Sequence, residues 1–87
     1  MTESTLYYSK MKFREMVRRR RKEKGLKVCE LAQKVGVNPV YITQIEKHGK
    51  LPSWKVMKLL SNVLGELTKP YVIEKYPELM AEGLLNV

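Results

Sequence analysis

The sequence predicts a small all-α fold, which we expect to be a compact bundle of about five helices. Apolar residues recur at intervals of three and four along most of the chain, which is the spacing of one helix face. Serine, asparagine, proline and glycine fall between these apolar runs, where helices begin and end. The length of 87 residues suits one domain with a small core, whose stability is modest unless a dimer adds to it.

The stretch from Val28 to Glu46 predicts two short helices joined by a tight turn. Gly36 can adopt the left-handed backbone that ends the first helix. Asn38 is a favourable N-cap for the second helix, and Pro39 then takes the first helical position, where its missing N–H costs nothing. Both helices carry apolar residues at helical spacing, as a helix-turn-helix requires: Leu31, Ala32, Val35, Tyr41, Ile42 and Ile45.

A set of residues in and around this motif agrees in type and in spacing with one family of helix-turn-helix proteins: Leu26, Glu30-Leu31-Ala32, Gly36-Val37, Ile42, Ile45-Glu46 and Pro52-Ser53. With these residues the chain resembles the Cro/CI-type family, which includes the lambdoid phage repressors, from Phe13 to Gly65. The resemblance implies a lambda-repressor-like fold. It also implies sequence-specific binding of double-stranded DNA by a dimeric transcriptional repressor or regulator on a palindromic operator. The motif alone is also compatible with an ordinary helical hairpin in a small bundle.

Three positions depart from the pattern of the family. Lys27 stands where the family usually has a Ser or Thr N-cap, and Val28 replaces a Gln that commonly contacts phosphate. The lost cap costs about 1 kcal/mol, while Lys27 offers a positive charge in place of the Gln. Two residues after Glu46 the family usually has Gly, and this chain has His48. Either the helix end moves to Gly49, or His48 adopts a left-handed backbone.

The strong positive charge of the chain points to a polyanionic partner. The net charge is +8 and the pI is about 9.8. Residues 1–65 contain 15 Lys and Arg against 5 Glu, whereas residues 66–87 contain 2 Lys against 4 Glu. The basic part of the chain therefore coincides with the helix-turn-helix, as a protein that binds DNA requires.

The second helix of the motif is expected to present polar side chains to the major groove. Gln44 is the best candidate for base contact, because its amide can pair with N6 and N7 of adenine together, and Val40 can pack against a thymine methyl. Asn38 can cap the helix, contact DNA or both, and Tyr41 can instead stack inward or hydrogen-bond a phosphate. The predicted base-contacting residues are Asn38, Val40, Tyr41, Thr43 and Gln44. The predicted phosphate-binding residues are Lys27, Lys47 and Lys50, assisted by helix N-termini.

A run of five basic residues, from Arg18 to Lys22, lies near the end of the first predicted helix, and most of it is expected to be a solvated face. In the family, an Arg at the position of Arg21 pairs with the Glu that ends the recognition helix, which here is Glu46. The resemblance therefore implies a structural ion pair between Arg21 and Glu46. Such a pair also explains an acidic residue beside phosphates, since the arginine neutralises it.

We divide the chain into an N-terminal arm (1–9), a helix-turn-helix DNA-binding domain (10–65) and a C-terminal helical segment (66–87). The first helix is expected to start near Ser9 and end before Gly25, and to bury Phe13, Met16 and Val17. The fourth helix is expected to run from its Ser53 cap to Gly65. Its core-facing residues are Trp54, Met57, Leu60 and Leu64, and its second apolar face is Val56, Leu59 and Val63.

In the C-terminal segment, Thr68 and Pro70 predict a fifth helix that Pro77 interrupts. Its predicted apolar side is Tyr71, Val72 and Tyr76. Glu78 to Leu85 can add a helical turn or two that carry Leu79, Met80, Leu84 and Leu85. This segment is compatible with an intramolecular lid and with a dimer interface. An alternative function follows from it: an antitoxin that binds a toxin through the segment and represses its own operon.

The sequence argues against an enzyme and against metal or cofactor binding. The chain has no Asp, hence no Ser/His/Asp set, and no glycine-rich phosphate loop. Cys29 is the only cysteine, which suits a reducing cytosol, and together with His48 it supplies too few ligands for a metal.

No apolar run is long enough to span a membrane. We therefore expect a cytoplasmic, nucleoid-associated protein without a cofactor. A helical adaptor that bridges proteins without recognising a DNA sequence is a further alternative.

Overall fold

The structure of the chain is a computed structural model that describes residues 12–77. Within this range it consists of five helices and no strand, which confirms the predicted all-α class. The helices are α1 (Phe13–Glu23), α2 (Val28–Val35), α3 (Pro39–His48), α4 (Trp54–Leu64) and α5 (Thr68–Lys75). The predicted N-terminal arm, the predicted helix start near Ser9 and the predicted turns from Glu78 to Leu85 lie outside the described residues.

One hydrophobic core lies between the five helices. Each helix contributes apolar residues spaced three or four positions apart, because only one face of each helix meets its neighbours. The end of α1 agrees with the prediction, and so does its buried stripe. The fully or almost fully buried apolar residues are Phe13, Met16, Val17, Leu31, Ala32, Val35, Ile42, Ile45, Met57, Leu60, Leu64, Leu67 and Tyr71.

The turn between α2 and α3 forms as predicted. Gly36 has φ 86°, and its N–H donates to the carbonyl of Ala32 over 2.8 Å. The Asn38 side chain accepts a hydrogen bond from the N–H of Val40 over 2.9 Å, with Pro39 as the first helical residue. Ser53 caps α4 in the same way, accepting from Val56 over 3.3 Å. These local signals set the start of α3 and therefore the face that it exposes.

Two predictions are wrong, namely that Trp54 faces the core and that Tyr76 belongs to the apolar side of the fifth helix. Trp54 is 50% exposed and Tyr76 is 41% exposed. The ring of Tyr71 occupies the core at the start of α4, so Trp54 packs edge-on against it, with ring centroids 6.0 Å apart, and leaves half of its surface in solvent. Tyr76 precedes Pro77, which disfavours a helical backbone at the residue before it, and it lies beyond the last residue of α5.

Helix α5 closes the core over the loop between α3 and α4. The Tyr71 hydroxyl donates to the carbonyl of the buried Pro52 over 2.6 Å, and the Tyr71 ring meets that of Phe13 edge-on at 5.4 Å. The Lys75 ammonium donates to the same hydroxyl over 2.9 Å, which raises the pKa of Lys75. This part of the C-terminal segment therefore covers the core of its own chain.

Candidate nucleic-acid interface

Helix α3 presents the predicted base-contacting residues on one side because its opposite side is buried. Ile42 and Ile45 have no exposed surface and lock the rotation of the helix against the core. Asn38 and Val40 are exposed at its first turn, with Val40 61% exposed. Further along, the half-buried residues Tyr41, Thr43 and Gln44 follow. A helix whose outer face carries short polar side chains, and whose first turn is exposed, is suited to enter the major groove and contact base edges.

At the N-terminus of α2, Lys27 stands in place of the Ser or Thr N-cap that the family usually has. Lys27 is exposed, and its ammonium has no acceptor with which to cap a helix. The carboxylate of Glu30 instead accepts from the backbone N–H of Lys27 over 2.8 Å. Half of a capping box therefore replaces the missing hydroxyl, and the Lys27 side chain remains at the surface beside the N–H groups that open α2.

The C-terminus of α3 resolves the alternative at His48. The helix includes His48, and Gly49 adopts the left-handed conformation with φ 70°. No residue other than glycine has a positive φ in the part of the chain that the structure describes. The helix end has therefore moved by one residue relative to the family pattern, because glycine adopts this conformation without the penalty that a Cβ brings.

The moved helix end changes the surroundings of Lys50. The backbone N–H of Lys50 donates to the carbonyl of Gln44 over 3.1 Å, which folds the chain back along α3. Its ammonium lies 3.3 Å from Oε1 of Gln44 and 4.5 Å from the ring centroid of Tyr41. The sequence predicted a phosphate contact for Lys50 but not this cluster with Gln44 and Tyr41. A lysine directly after a glycine helix cap is the signal that could have indicated it.

Arg21 and Glu46 join α1 to the end of α3 through two parallel hydrogen bonds. Nε of Arg21 lies 2.7 Å from Oε2 of Glu46, and Nη2 lies 3.0 Å from Oε1. Nη1 of Arg21 also donates to the carbonyl of Leu26 over 2.8 Å. Only 12% of the arginine side chain and 5% of the glutamate side chain are exposed. The hydrogen bond to Glu46 is the main cause of a raised pKa of Arg21.

Two basic residues of α1 that were not predicted as site residues reach the same end of α3. The Arg14 guanidinium lies beside Gly49, so close that a Cβ on that glycine would be 3.1 Å from Nη1. Arg14 and Arg18 line a surface groove together with Glu46 and Lys47. The helical register could have indicated them, since Arg14, Arg18 and Arg21 are three or four positions apart on one side of α1.

The described residues contain no group of three or more His, Cys, Asp or Glu side chains that could bind a metal ion. Among the same residues, no helix is both long and apolar enough to cross a membrane.

Comparison with known proteins identifies the family. A model of the helix-turn-helix family, which represents the Cro/CI type, matches residues 17–71, more than half of the chain of 87 residues. No curated protein and no solved structure gives a significant match. The match covers α2 and α3, the α4 that supports them, and the buried Tyr71 of α5. The family consists of DNA-binding regulators that are typically not enzymes. The chain therefore belongs to the Cro/CI-type helix-turn-helix family of DNA-binding proteins.

Proposed function

We propose that the protein is a transcriptional repressor that binds a palindromic double-stranded DNA operator as a homodimer. The observation that carries the proposal is the outer face of α3, where Asn38, Thr43 and Gln44 retain exposed polar surface and the cationic Lys47 and Lys50 follow at the C-terminal end. Base edges in the major groove require such polar side chains, and phosphates on either side require the cations.

In this proposal α3 enters the major groove and its side chains contact the bases. Direct contact comes from Asn38, Val40, Tyr41, Thr43 and Gln44, all of which retain exposed surface. Phosphates are bound by Lys27 at the start of α2 and by Lys47 at the end of α3, and Arg14 extends this cationic edge. The positive end of the α2 dipole supports a phosphate beside Lys27.

A homodimer follows from the small size of this contact surface, because one recognition helix covers only a short DNA site. Two half-sites about 34 Å apart along the duplex would match a two-fold symmetric dimer. The half-buried row of Val56, Leu59 and Val63 on α4 supplies apolar surface for an interface. The sequence beyond Pro77 supplies further apolar residues, from Leu79 to Leu85.

Selection of bound sequences from a random pool of double-stranded DNA tests the proposal. We expect a palindromic motif to be enriched, with two half-sites about one helical turn apart. The variant Gln44→Ala should weaken binding by about 1–3 kcal/mol and relax the preference at one base pair per half-site. Lys47→Ala is the matched control on the same helix and should weaken binding to all sequences equally. A pool without an enriched motif would contradict sequence-specific binding.

An antitoxin is the second candidate, and the apolar sequence of residues 79–85 favours it. An antitoxin would bind its own operator through α3 and a toxin through the C-terminal segment. Purification of the full chain from its native host separates the two candidates. A homodimer supports the repressor, whereas a stable complex with a second protein of defined mass supports the antitoxin.

A further inference from the structure

We propose that Lys50 is a positioning residue for Gln44, and that the two side chains together select guanine at one base pair of each half-site. The inference rests on the proposed function, because it requires α3 to lie in the major groove. It changes the base expected from the sequence, since Gln44 alone favours adenine.

The backbone brings Lys50 to this position. Because His48 extends α3 and Gly49 takes φ 70°, the N–H groups of Gly49 and Lys50 both converge on the carbonyl of Gln44. The chain therefore reverses over the last turn of α3 instead of leaving it. The side chain of Lys50 then lies along the outer face of the helix, beside the residues proposed to contact bases.

The contacts of the Lys50 ammonium determine how the Gln44 amide is oriented. The ammonium lies 3.3 Å from Oε1 of Gln44 and 4.5 Å from the centre of the Tyr41 ring. An ammonium can only donate, so it must face the carbonyl oxygen of the amide and not the NH₂ group. The NH₂ group of Gln44 is thereby directed away from Lys50. The half-buried Tyr41 ring holds the cation by a cation–π contact.

Such a pair presents mainly hydrogen-bond donors, and its one acceptor, Oε1 of Gln44, already accepts from the Lys50 ammonium through one of its two lone pairs. Lys50 has two further N–H donors, and Gln44 offers its NH₂ group. The major-groove edge of guanine has two acceptors, N7 and O6, whereas adenine has one acceptor and one donor. To pair with adenine, Gln44 must accept from N6 through the second lone pair of the same Oε1, which brings the positively polarised amino group of adenine beside the Lys50 ammonium. Two adjacent donors therefore match guanine better than adenine.

The test compares the DNA motifs selected by the full-length wild-type chain and by Lys50→Met, which keeps the aliphatic stem but removes the charge. The wild type should enrich guanine at one position of each half-site. Lys50→Met should shift that position towards adenine, with the preference for guanine over adenine falling about tenfold. Lys50→Arg, which restores a cationic donor, should retain guanine. Lys47→Met is the control and should lower affinity for every sequence without changing the motif.

Each outcome supports or overturns the inference. If Lys50→Met retains guanine and only weakens all sequences, Lys50 is a phosphate contact and the inference is wrong, while the proposed function stands. The inference is also wrong, and the proposed function again stands, if the wild-type motif has adenine at every position that depends on Gln44. If the wild type selects no motif, the proposed function itself fails. Unchanged unfolding midpoints, followed by the fluorescence of Trp54, show that the variants fold.

Discussion

At the scale of single residues, the contrast between Arg21 and Arg19 shows that position decides the energetic role of a charge. Both belong to the basic run of α1. The guanidinium of Arg21 is largely buried and makes two hydrogen bonds to Glu46, whereas Arg19 pairs with Glu23 where both side chains are more than half exposed. Solvent screens the exposed pair, so that it contributes little, while a buried charge that loses its partner is strongly destabilising.

We expect Glu46→Ala to lower the free energy of unfolding by about 3 kcal/mol, because it leaves the Arg21 guanidinium buried without a carboxylate. A double-mutant cycle on Arg21 and Glu46, measured by chemical denaturation, should give a clear coupling energy. The matched cycle on Arg19 and Glu23 should give less than about 0.5 kcal/mol. Arg21→Ala alone should cost more than the coupling energy, because Leu26 also loses a hydrogen-bond donor. Equal coupling in the two cycles would contradict this account.

At the scale of secondary-structure elements, α5 stabilises the loop that follows the recognition helix. The buried Tyr71 donates its hydroxyl proton to the carbonyl of Pro52, which lies 19 residues earlier in the chain. Pro52 is itself buried, so water cannot easily replace the tyrosine hydroxyl. The position of α5 therefore constrains the connection between α3 and α4, and through it the end of α3.

The variant Tyr71→Phe is expected to lower the free energy of unfolding by about 1–3 kcal/mol, because the Pro52 carbonyl loses its donor while the ring remains. Tyr76→Phe is the matched control and should have little effect, since Tyr76 is 41% exposed. Thermal unfolding of the two variants measures the difference. Similar midpoints would show that the hydroxyl of Tyr71 contributes nothing measurable.

At the scale of the whole molecule, the distribution of charge predicts how binding depends on salt. Residues 1–65 contain 15 Lys and Arg against 5 Glu, and this part includes all the helices of the candidate interface. Each phosphate neutralised by the protein releases a counterion and contributes about −0.9 to the slope of log K against log salt. The excess of cations in this part of the chain therefore predicts a steep slope.

For a dimer that makes about 6–10 phosphate contacts, the slope should lie between about −5 and −9. Titration of the selected operator at several salt concentrations measures it. Lys47→Ala in both subunits should make the slope less steep by about 2, one unit for each lost contact. A slope near zero for the wild type would contradict electrostatic binding of the DNA backbone.

The proposed dimer makes a second prediction at this scale. Deletion of residues 77–87 should lower the oligomeric state and weaken operator binding while the domain remains folded. The reason is that all the buried apolar residues of the described chain lie between Phe13 and Tyr71. Sedimentation and thermal unfolding measure the two effects separately. A deletion that unfolds the domain would favour the intramolecular lid, and a monomeric full-length chain at high concentration would contradict the dimer.

The all-α class, the turn of the helix-turn-helix, the Asn38 and Ser53 caps and most of the core could all be predicted from the sequence. These features depend on helical periodicity and on residues within four positions of one another, so neighbouring residues are enough to predict them. The family resemblance also implied the partner of Arg21 in advance, because the pair occupies matching positions in relatives. The uneven distribution of charge along the chain could also be determined in advance, since counting charged residues requires no coordinates.

Three features depend on how the helices pack and could not be predicted from the sequence: which ring fills the core beside α4, where the Tyr71 hydroxyl donates and what surrounds Lys50. Tyr71 is buried and Trp54 is half exposed, although their rings are in contact. Which ring is buried depends on how α4 and α5 pack and not on the hydrophobicity of either residue. The contact of Lys50 with Gln44 and Tyr41 depends on a chain reversal at Gly49. Periodicity describes a face of one helix, but it contains no information on where a following loop returns.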